Sequence, residues 1–511
     1  YTYLHKMITD MDIEVRQVEY SDILPDEITQ AELVLEDVPV SLTNAIRRII
    51  LSEIPNVAFY EKDINVLENK SELHNEFIAH RTSLLPIYRD PRFKIVSKIN
   101  KTTGFRENVF DNESLVPVFV LNEHNTDDFA IESHYRDIFS NQFRVFQKNV
   151  KVLDKDEADE EGKVVEEVED VQELDIADFF KPDYFTGEHV HFYVLKSNPN
   201  DKMKGQKLHL EAHPTVGFAK KHASYSPVAG VAFKYEEDTE EMKDMIFKNT
   251  INQQNVERNT KGLTPLTENE IMQARRSFDR LDSARVYKQN RDGECNSISF
   301  TVESIGVYSP LQAFMDSLFV LELKLIDIMN GINITSDTIT MNSQYKFYFE
   351  RNQAVIELTE QDHTIGNLIT DYMKRIKVEH MTDFENNKNT TLYKTKETLL
   401  EVATYRIEHP LQNILRFKMK MQRNAKEQFA SVYKDNTWDE HTSRKAPYLI
   451  IFYKTIQLIV HQLNELKTTF IVGQSRKMEG TTAILNAVDK VETPSFRIMD
   501  DTYNESFFYE N

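Results

Sequence analysis

The chain has 511 residues, 40% of them hydrophobic and 28% charged, which is too long for one core and describes a globular protein of two to four domains. No stretch of about 18 consecutive apolar residues exists to cross a bilayer, and the first residues, YTYLHKMITD, carry neither the basic nor the apolar region of a signal peptide. Cys295 is the single cysteine, which excludes an internal disulfide and any zinc or iron–sulfur site that takes two thiolates from this chain, and points to a reducing compartment. The net charge of -22 is opposite to that of a protein held mainly by phosphates, so little or no direct nucleic-acid contact is expected.

Asp12 to Arg16 alternates as a strand, and Ala31, Leu33 and Leu35 alternate again. Leu42, Ala45, Ile46, Ile49 and Ile50 then follow the i, i+3, i+4, i+7, i+8 spacing of a helix with one buried stripe, which leaves Arg47 and Arg48 outside it; Pro55 stops the helix. After Pro86 the pattern is irregular and strand-rich. Asp154 to Asp175 holds twelve acidic and two basic residues, too little apolar surface to fold alone, and reads as a solvated acidic loop. Strands resume from His189 to Leu210, and Glu236 to Arg291 reads as charged helix and loop. Ser299 to Val307 alternates as a strand and leads into Ser309-Pro310-Leu311-Gln312, a helix start in which Ser309 caps, Pro310 needs no amide donor and Gln312 reaches back. The stripe of that helix is Leu311, Phe314, Met315, Leu318, Phe319 and Leu325, and the polar run 330–344 that follows reads as a linker.

Beyond it the first pattern returns. With a shift of 323 positions Leu33 falls on Ile356, Leu35 on Leu358, Leu42 on Ile365, Asn44 on Asn367, Ala45 on Leu368, Ile46 on Ile369, Ile49 on Tyr372 and Ile50 on Met373. A second strand, Leu415 to Met421, and a second helix from Pro447 with the stripe Leu449, Tyr453, Ile456, Val460, Leu463 and Phe470 follow in the same order. Each half thus offers a sheet with two long amphipathic helices, suited to packing on one another as a pseudo-symmetric pair within one α+β chain.

SLTNAIRRIILSEIP with NKSELHNEFIAHRTSLLPI (Asn69 to Ile87), GFAKKHASYSPVAGVAFKY (Gly217 to Tyr235) and FTVESIGVYSP (Phe300 to Pro310) resemble, in order, three motifs of the α-like subunits of multisubunit DNA-dependent RNA polymerases: bacterial α, its archaeal D-type counterpart and the eukaryotic third-largest subunit. ELTEQDHTIGNLI (Glu357 to Ile369) and YRIEHPLQN (Tyr405 to Asn413) resemble the small L-type partner subunit, so the chain looks like the two assembly subunits fused, an arrangement associated with some large DNA viruses. The resemblance implies a discontinuous first dimerisation domain (1–87 and 295–335), a strand-rich inserted domain (88–294, with the acidic loop at 154–175), a linker (336–344), a second dimerisation domain (345–475) and a C-terminal extension (476–511). It implies a scaffold that docks the two largest polymerase subunits and small adaptor subunits, with no homo-oligomer; the family works in nuclei, in archaeal cells and in cytoplasmic viral compartments or virions, which leaves the localisation open. Asn44, Arg47, Arg48, Glu76, His80 and Arg81 match motifs that face the large subunits in that family; a solvated helix face for Arg47 and Arg48, and a structural hydrogen bond or ion pair for His80 and Arg81, are the local alternatives. The cysteine cluster that many archaeal and eukaryotic members carry is missing here, so no metal or other cofactor is carried over.

The residues suggest no catalytic site of the chain's own. HLEAH (His209 to His213) puts Glu211 between the histidines and Pro214 directly after them, which is a strand pattern, whereas a zincin needs HExxH on a helix. His363 has no nucleophile placed beside it and reads as a helix-start residue. The chain also lacks GxxxxGK[ST] and GxGxxG. The principal reading is a non-catalytic assembly subunit; a free-standing adaptor or regulatory protein that uses the acidic loop to bind basic partners is the second, and a metalloenzyme the third.

Overall fold

The computed structural model describes residues 12–20, 28–88, 93–100, 106–112, 115–126, 134–151, 167–183, 186–198, 205–289, 293–295, 297–334, 338–377, 398–409, 411–412, 414–425, 440–472 and 496–498. β1 (Asp12–Tyr20) and β2 (Ile28–Glu36) form an antiparallel hairpin and lead into α1 (Val40–Ser52). The following stretch runs through β3 (Asn56–Asn69), α2 (Asn75–Ser83), β4 (Ile95–Ile99), β5 (Arg106–Phe110), β6 (Val118–His124), β7 (Tyr135–Phe139), β8 (Arg144–Lys151), β9 (Glu167–Leu174), β10 (His191–Lys196), β11 (Lys207–Gly217) and β12 (Val228–Tyr235). Two helices, α3 (Glu240–Thr260) and α4 (Glu268–Leu281), start at the threonine caps Thr239 and Thr267 and precede β13 (Ile298–Ser304) and α5 (Pro310–Asn330). The short pair β14 (Ile332–Ile334) and β15 (Ile339–Met341) leads into the last stretch: β16 (Tyr345–Glu350), β17 (Gln353–Thr359), α6 (His363–Arg375), β18 (Leu400–Ile407), β19 (Ile414–Met421), α7 (Glu440–Val472) and β20 (Phe496–Ile498).

Two four-stranded antiparallel sheets share one connectivity. The first runs β1-β2-β13-β12 and the second β16-β17-β19-β18, so each has its own strands in the order first, second, fourth, third. The 323-residue shift holds at the level of the backbone. It carries both ends of α1, Val40 and Ser52, onto both ends of α6, His363 and Arg375. It also carries Asp37, left-handed at φ 56°, onto Glu360, left-handed at φ 59°, in the turn before each helix. A left-handed residue with a side chain is uncommon, so its recurrence at one position of two turns marks the same turn built twice. α1, α5, α6 and α7 pack between the two sheets, and one hydrophobic core runs without interruption from Ile13 to Phe470.

A second core lies in the inserted domain, under the five-stranded sheet β3-β11-β6-β8-β9, with Phe59, Phe119, Phe143, Phe179, Phe180 and Phe192 stacked edge to face at its centre. α5 borders both cores: Leu318, Leu321 and Leu325 belong to the first and Leu323 to the second. That is why the start of this helix is buried all round, every residue from Pro310 to Leu318 being shielded, the polar Gln312, Asp316 and Ser317 included.

Several boundaries fall elsewhere than the sequence suggests. β3 and α2, expected in the first dimerisation domain, pack into the second core, because Val57, Phe59, Ile64 and Ile78 find their partners there; β12, expected in the insertion, completes the first sheet beside β13. Of the acidic loop 154–175, residues 154–166 lie outside the described residues, while Glu167–Leu174 is a strand paired along β8, where main-chain bonding needs no apolar surface. The linker 336–344 contains β15, bonded back to β14. α7 begins at Glu440, ahead of Pro447, and continues around that proline. α5 starts at Pro310 with Ser309 in the cap position, as expected, but the Ser309 hydroxyl is buried without a hydrogen-bond partner, and Gln312 donates forward to Asp316 at 2.8 Å instead of back. Of the extension 476–511 only β20 is described; it adds a parallel strand to β4.

Gly366 occupies the interior of α6, where glycine costs about 1 kcal/mol relative to alanine. A Cβ there would stand 2.6 Å from the Tyr405 ring and 2.9 Å from Leu415 Cδ1, so the missing side chain is what lets α6 lie on β18 and β19. Gly366→Ala is expected to lose about 1 to 2 kcal/mol net despite its better helix propensity, read as a lower denaturant midpoint; an unchanged or raised midpoint would contradict this packing.

Candidate interaction site

The apolar residues singled out in the sequence lie together. Leu42, Ala45, Ile46, Ile49 and Ile50 of α1, Leu311, Phe314 and Leu318 of α5, Ile365, Leu368, Ile369, Tyr372 and Met373 of α6, and Ile456 and Leu463 of α7 are buried in the first core. Tyr453 and Val460 are half-buried against it. α1 touches α5 and α6, α5 touches α7, and α7 also lies on β1. Phe314 of α5 and Phe470 of α7 stack with centroids 5.7 Å apart.

Polar contacts cross the same junction. Ser41 Oγ donates to Asp371 Oδ2 at 2.6 Å and Arg375 pairs with Glu294, while Lys324 pairs with Glu53 inside the first half. Asp362 caps α6 by accepting from the Thr364 amide at 2.9 Å and takes Lys220 Nζ at 3.1 Å. Burial alone would raise the Asp362 carboxyl, but the charges of Lys324 and Lys220 and the two hydrogen bonds outweigh it and hold it far below the usual carboxylate range. Deeper still, Lys467 of α7 pairs with Glu322 of α5, both side chains almost wholly shielded from solvent at 8% and 5% exposure.

The sequence reading missed Glu322 and Lys467, although a signal was present. Each sits at i+4 in an i, i+4, i+7 run of otherwise apolar stripe positions: Leu318-Glu322-Leu325 and Leu463-Lys467-Phe470.

The residues matched to large-subunit contact lie farther out. Asn44, Arg47 and Arg48 are half-buried, and Arg47 Nε donates to Asn44 Oδ1 at 3.1 Å, one turn away. Glu76, His80 and Arg81 are exposed on α2. Arg81 donates through Nε to the Phe192 carbonyl at 2.9 Å and so ties α2 to β10, the structural hydrogen bond weighed as its alternative; the His80 imidazole lies 3.9 Å from the Glu61 carboxylate. Phe77 of the same helix and Leu84, directly after its end, are more than half exposed, at 58% and 52%. A cleft of about 620 Å³ opens where α1, α6 and the end of β12 meet; Asn44 and Asn367, the two asparagines related by the 323-residue shift, both line it with Asp371, Lys374 and Cys295.

His209, Glu211 and His213 share one half-buried face of β11, opposite the buried Leu208, Leu210 and Ala212, as strand alternation requires. Among the described residues no group of three or more His, Cys, Asp or Glu is placed to hold a metal ion, and no helix is long and apolar enough to cross a membrane. His363 is the first residue of α6, with its Nδ1 3.3 Å from the Tyr405 hydroxyl.

A model of the RNA polymerase Rpb3/Rpb11 dimerisation domain matches residues 32–325, more than half of the chain. The chain belongs to that family and is an α-like RNA polymerase subunit. It is similar to subunit 3 of DNA-directed RNA polymerases II, IV and V of Arabidopsis thaliana, 25% identical over 329 residues that cover 62% of this chain and 90% of that one. It is also similar to subunit RPAC1 of DNA-directed RNA polymerases I and III of Bos taurus, 24% identical over 213 residues covering 42% and 53% of the two chains. Subunit Rpo3 of the DNA-directed RNA polymerase of Methanocaldococcus jannaschii matches a shorter stretch, 45% identical over 53 residues, 10% of this chain and 27% of that one.

A carboxyl held below its unfolded value contributes stability that is complete above that value, about pH 4, and is lost as the pH falls through the folded one. Asp362→Asn, which keeps a capping oxygen but no charge, is expected to unfold about 1 kcal/mol more easily at pH 7, a difference that starts to shrink as the pH falls below about 4 and goes on shrinking toward the much lower folded-state value. A wild-type advantage that does not shrink between pH 4 and about pH 2 would contradict the ion pairing.

Proposed function

We propose that the chain is a non-catalytic assembly platform of a DNA-dependent RNA polymerase, in which a third-largest-type subunit and its small L-type partner are joined in one polypeptide and pair pseudo-symmetrically. The observation that carries this reading is the equal strand order of the two sheets, whose four helices enter one core. The relation between α1 and α6, down to the left-handed residue before each, supports the same duplication. In this reading 345–475 is the second dimerisation domain, and the platform mounts the two largest subunits, with small adaptor subunits on its flank and little or no direct contact with nucleic acid.

The contact surface proposed for the large subunits joins α1, through Asn44, Arg47 and Arg48, to the exposed face of α2, through Glu76 and His80, with Phe77 and Leu84 as apolar anchors. An interface of this kind takes its energy from a few such residues in its dry centre, while the charges orient the encounter. The covalent link keeps the two halves near millimolar effective concentration, which suppresses pairing between copies.

Co-expression with the two largest subunits is expected to give a complex holding one copy of each, seen by native mass measurement. Ile46→Asp places an unpaired charge among buried side chains and is expected to lower the yield of that complex by about tenfold or more. Recovery of the variant complex at the wild-type level would overturn the reading.

A further inference from the structure

We propose that the buried Glu322–Lys467 pair makes the pairing of the two halves specific, so that each half accepts the other and rejects a second copy of itself. The inference rests on the paired-unit reading and adds to it the reason why the pair is heterotypic.

The surroundings of the two charges decide what they can do. Glu322 stands on α5 among Leu318, Leu321 and Leu325, and Lys467 on α7 between Leu463 and Phe470. Lys467 also donates to Asn464 Oδ1 at 3.2 Å, and its ammonium lies 4.0 Å from the centre of the Phe319 ring. Burial pushes the lysine toward its neutral form and Glu322 opposes that push. A pair in such a place is weak evidence for stability, because two apolar side chains of similar size would fill the same space at no desolvation cost. What the charges supply is discrimination. Most other side chains of the junction are aliphatic and aromatic stripes that would pack against any similar stripe; the buried polar pairs Gln312–Asp316 and Tyr372–Gln462 are each satisfied within one half, and Ser41–Asp371, Lys220–Asp362 and Arg375–Glu294 are open enough to water to be replaced by hydration. Two first halves brought together contain no Lys467, and two second halves contain no Glu322. Either homotypic pair buries a charge without its partner, which strongly disfavours it, whereas the heterotypic pair satisfies both.

The test uses the full chain in two differently tagged forms. Glu322→Lys alone and Lys467→Glu alone each put like charges face to face, and each is expected to lower the melting midpoint; the double variant Glu322→Lys/Lys467→Glu restores the attraction and is expected to regain it as a monomer. The decisive measurement is co-expression of the two single variants. Exchange of halves between the two chains then sets the introduced lysine of one variant against the introduced glutamate of the other at one junction and restores the native pair at the second, so a tagged heterodimer is expected at about ten times or more the level given by two wild-type copies. No enrichment over wild type, or single variants that melt and sediment like wild type, would overturn the proposal. Amide exchange separates it from the reading it rests on. Fast exchange along α6 and α7 of the wild-type chain would remove the pairing itself, whereas slow exchange without complementation between the variants would remove only the role of the charges.

Discussion

The fold depends on the burial of four helix stripes in one place. A sheet with two amphipathic helices covers its own inner face but leaves the helices with a second apolar side, and the stable outcome is a further layer packed upon it. Here that layer is another sheet with two helices of the same order. α5 shows the consequence most directly, since it is enclosed by the first core along Leu311, Phe314 and Leu318 and by the inserted domain at Leu323. Because one rigid helix belongs to both cores, the inserted domain is oriented relative to the four-helix layer by packing as well as by its chain connections. The parallel pairing of β20 on β4 adds a contact from the far end of the chain to the same domain.

Charge is distributed in two roles. Most ion pairs are solvated: Arg144 and Glu173, at 64% and 49% exposure, hold β8 and β9 in register but contribute little energy. At the junction of the halves Glu322–Lys467 is enclosed, Arg375–Glu294 stays open to water, and Lys220–Asp362 is sheltered on the aspartate side. Asp362 does two things at once, satisfying the Thr364 amide at the start of α6 and receiving Lys220 from the first half, so the start of the second helix set is tied to the first by the same carboxylate.

Periodicity made the buried elements legible. α1 and the strands before it follow from the spacing of Leu33, Leu35, Leu42 and Ile46, and the 323-residue shift found α6 because both copies bury the same positions. The features that escaped are those in which the backbone or a single charge decides. β9 is held by main-chain bonds to β8 and has an acidic sequence; β16 and β17 are joined at Arg351 and Asn352, both left-handed, without the glycine that announces such a turn. β3 and α2 went to the neighbouring core because hydrophobic spacing reports that a face is buried and not what buries it. The outward surface is the least legible part, since exposed residues such as Phe77 have no period to follow.

The distance between the two like elements has a consequence for biosynthesis. α1 leaves the ribosome 323 residues before α6, and at 5 to 20 residues per second its greasy side waits roughly 15 to 65 s for the later one. A cell making the two halves as separate polypeptides faces a search in solution; a single translation product replaces that search with a timed delay, and what it then requires is something to shield the nascent first half until the remainder has emerged.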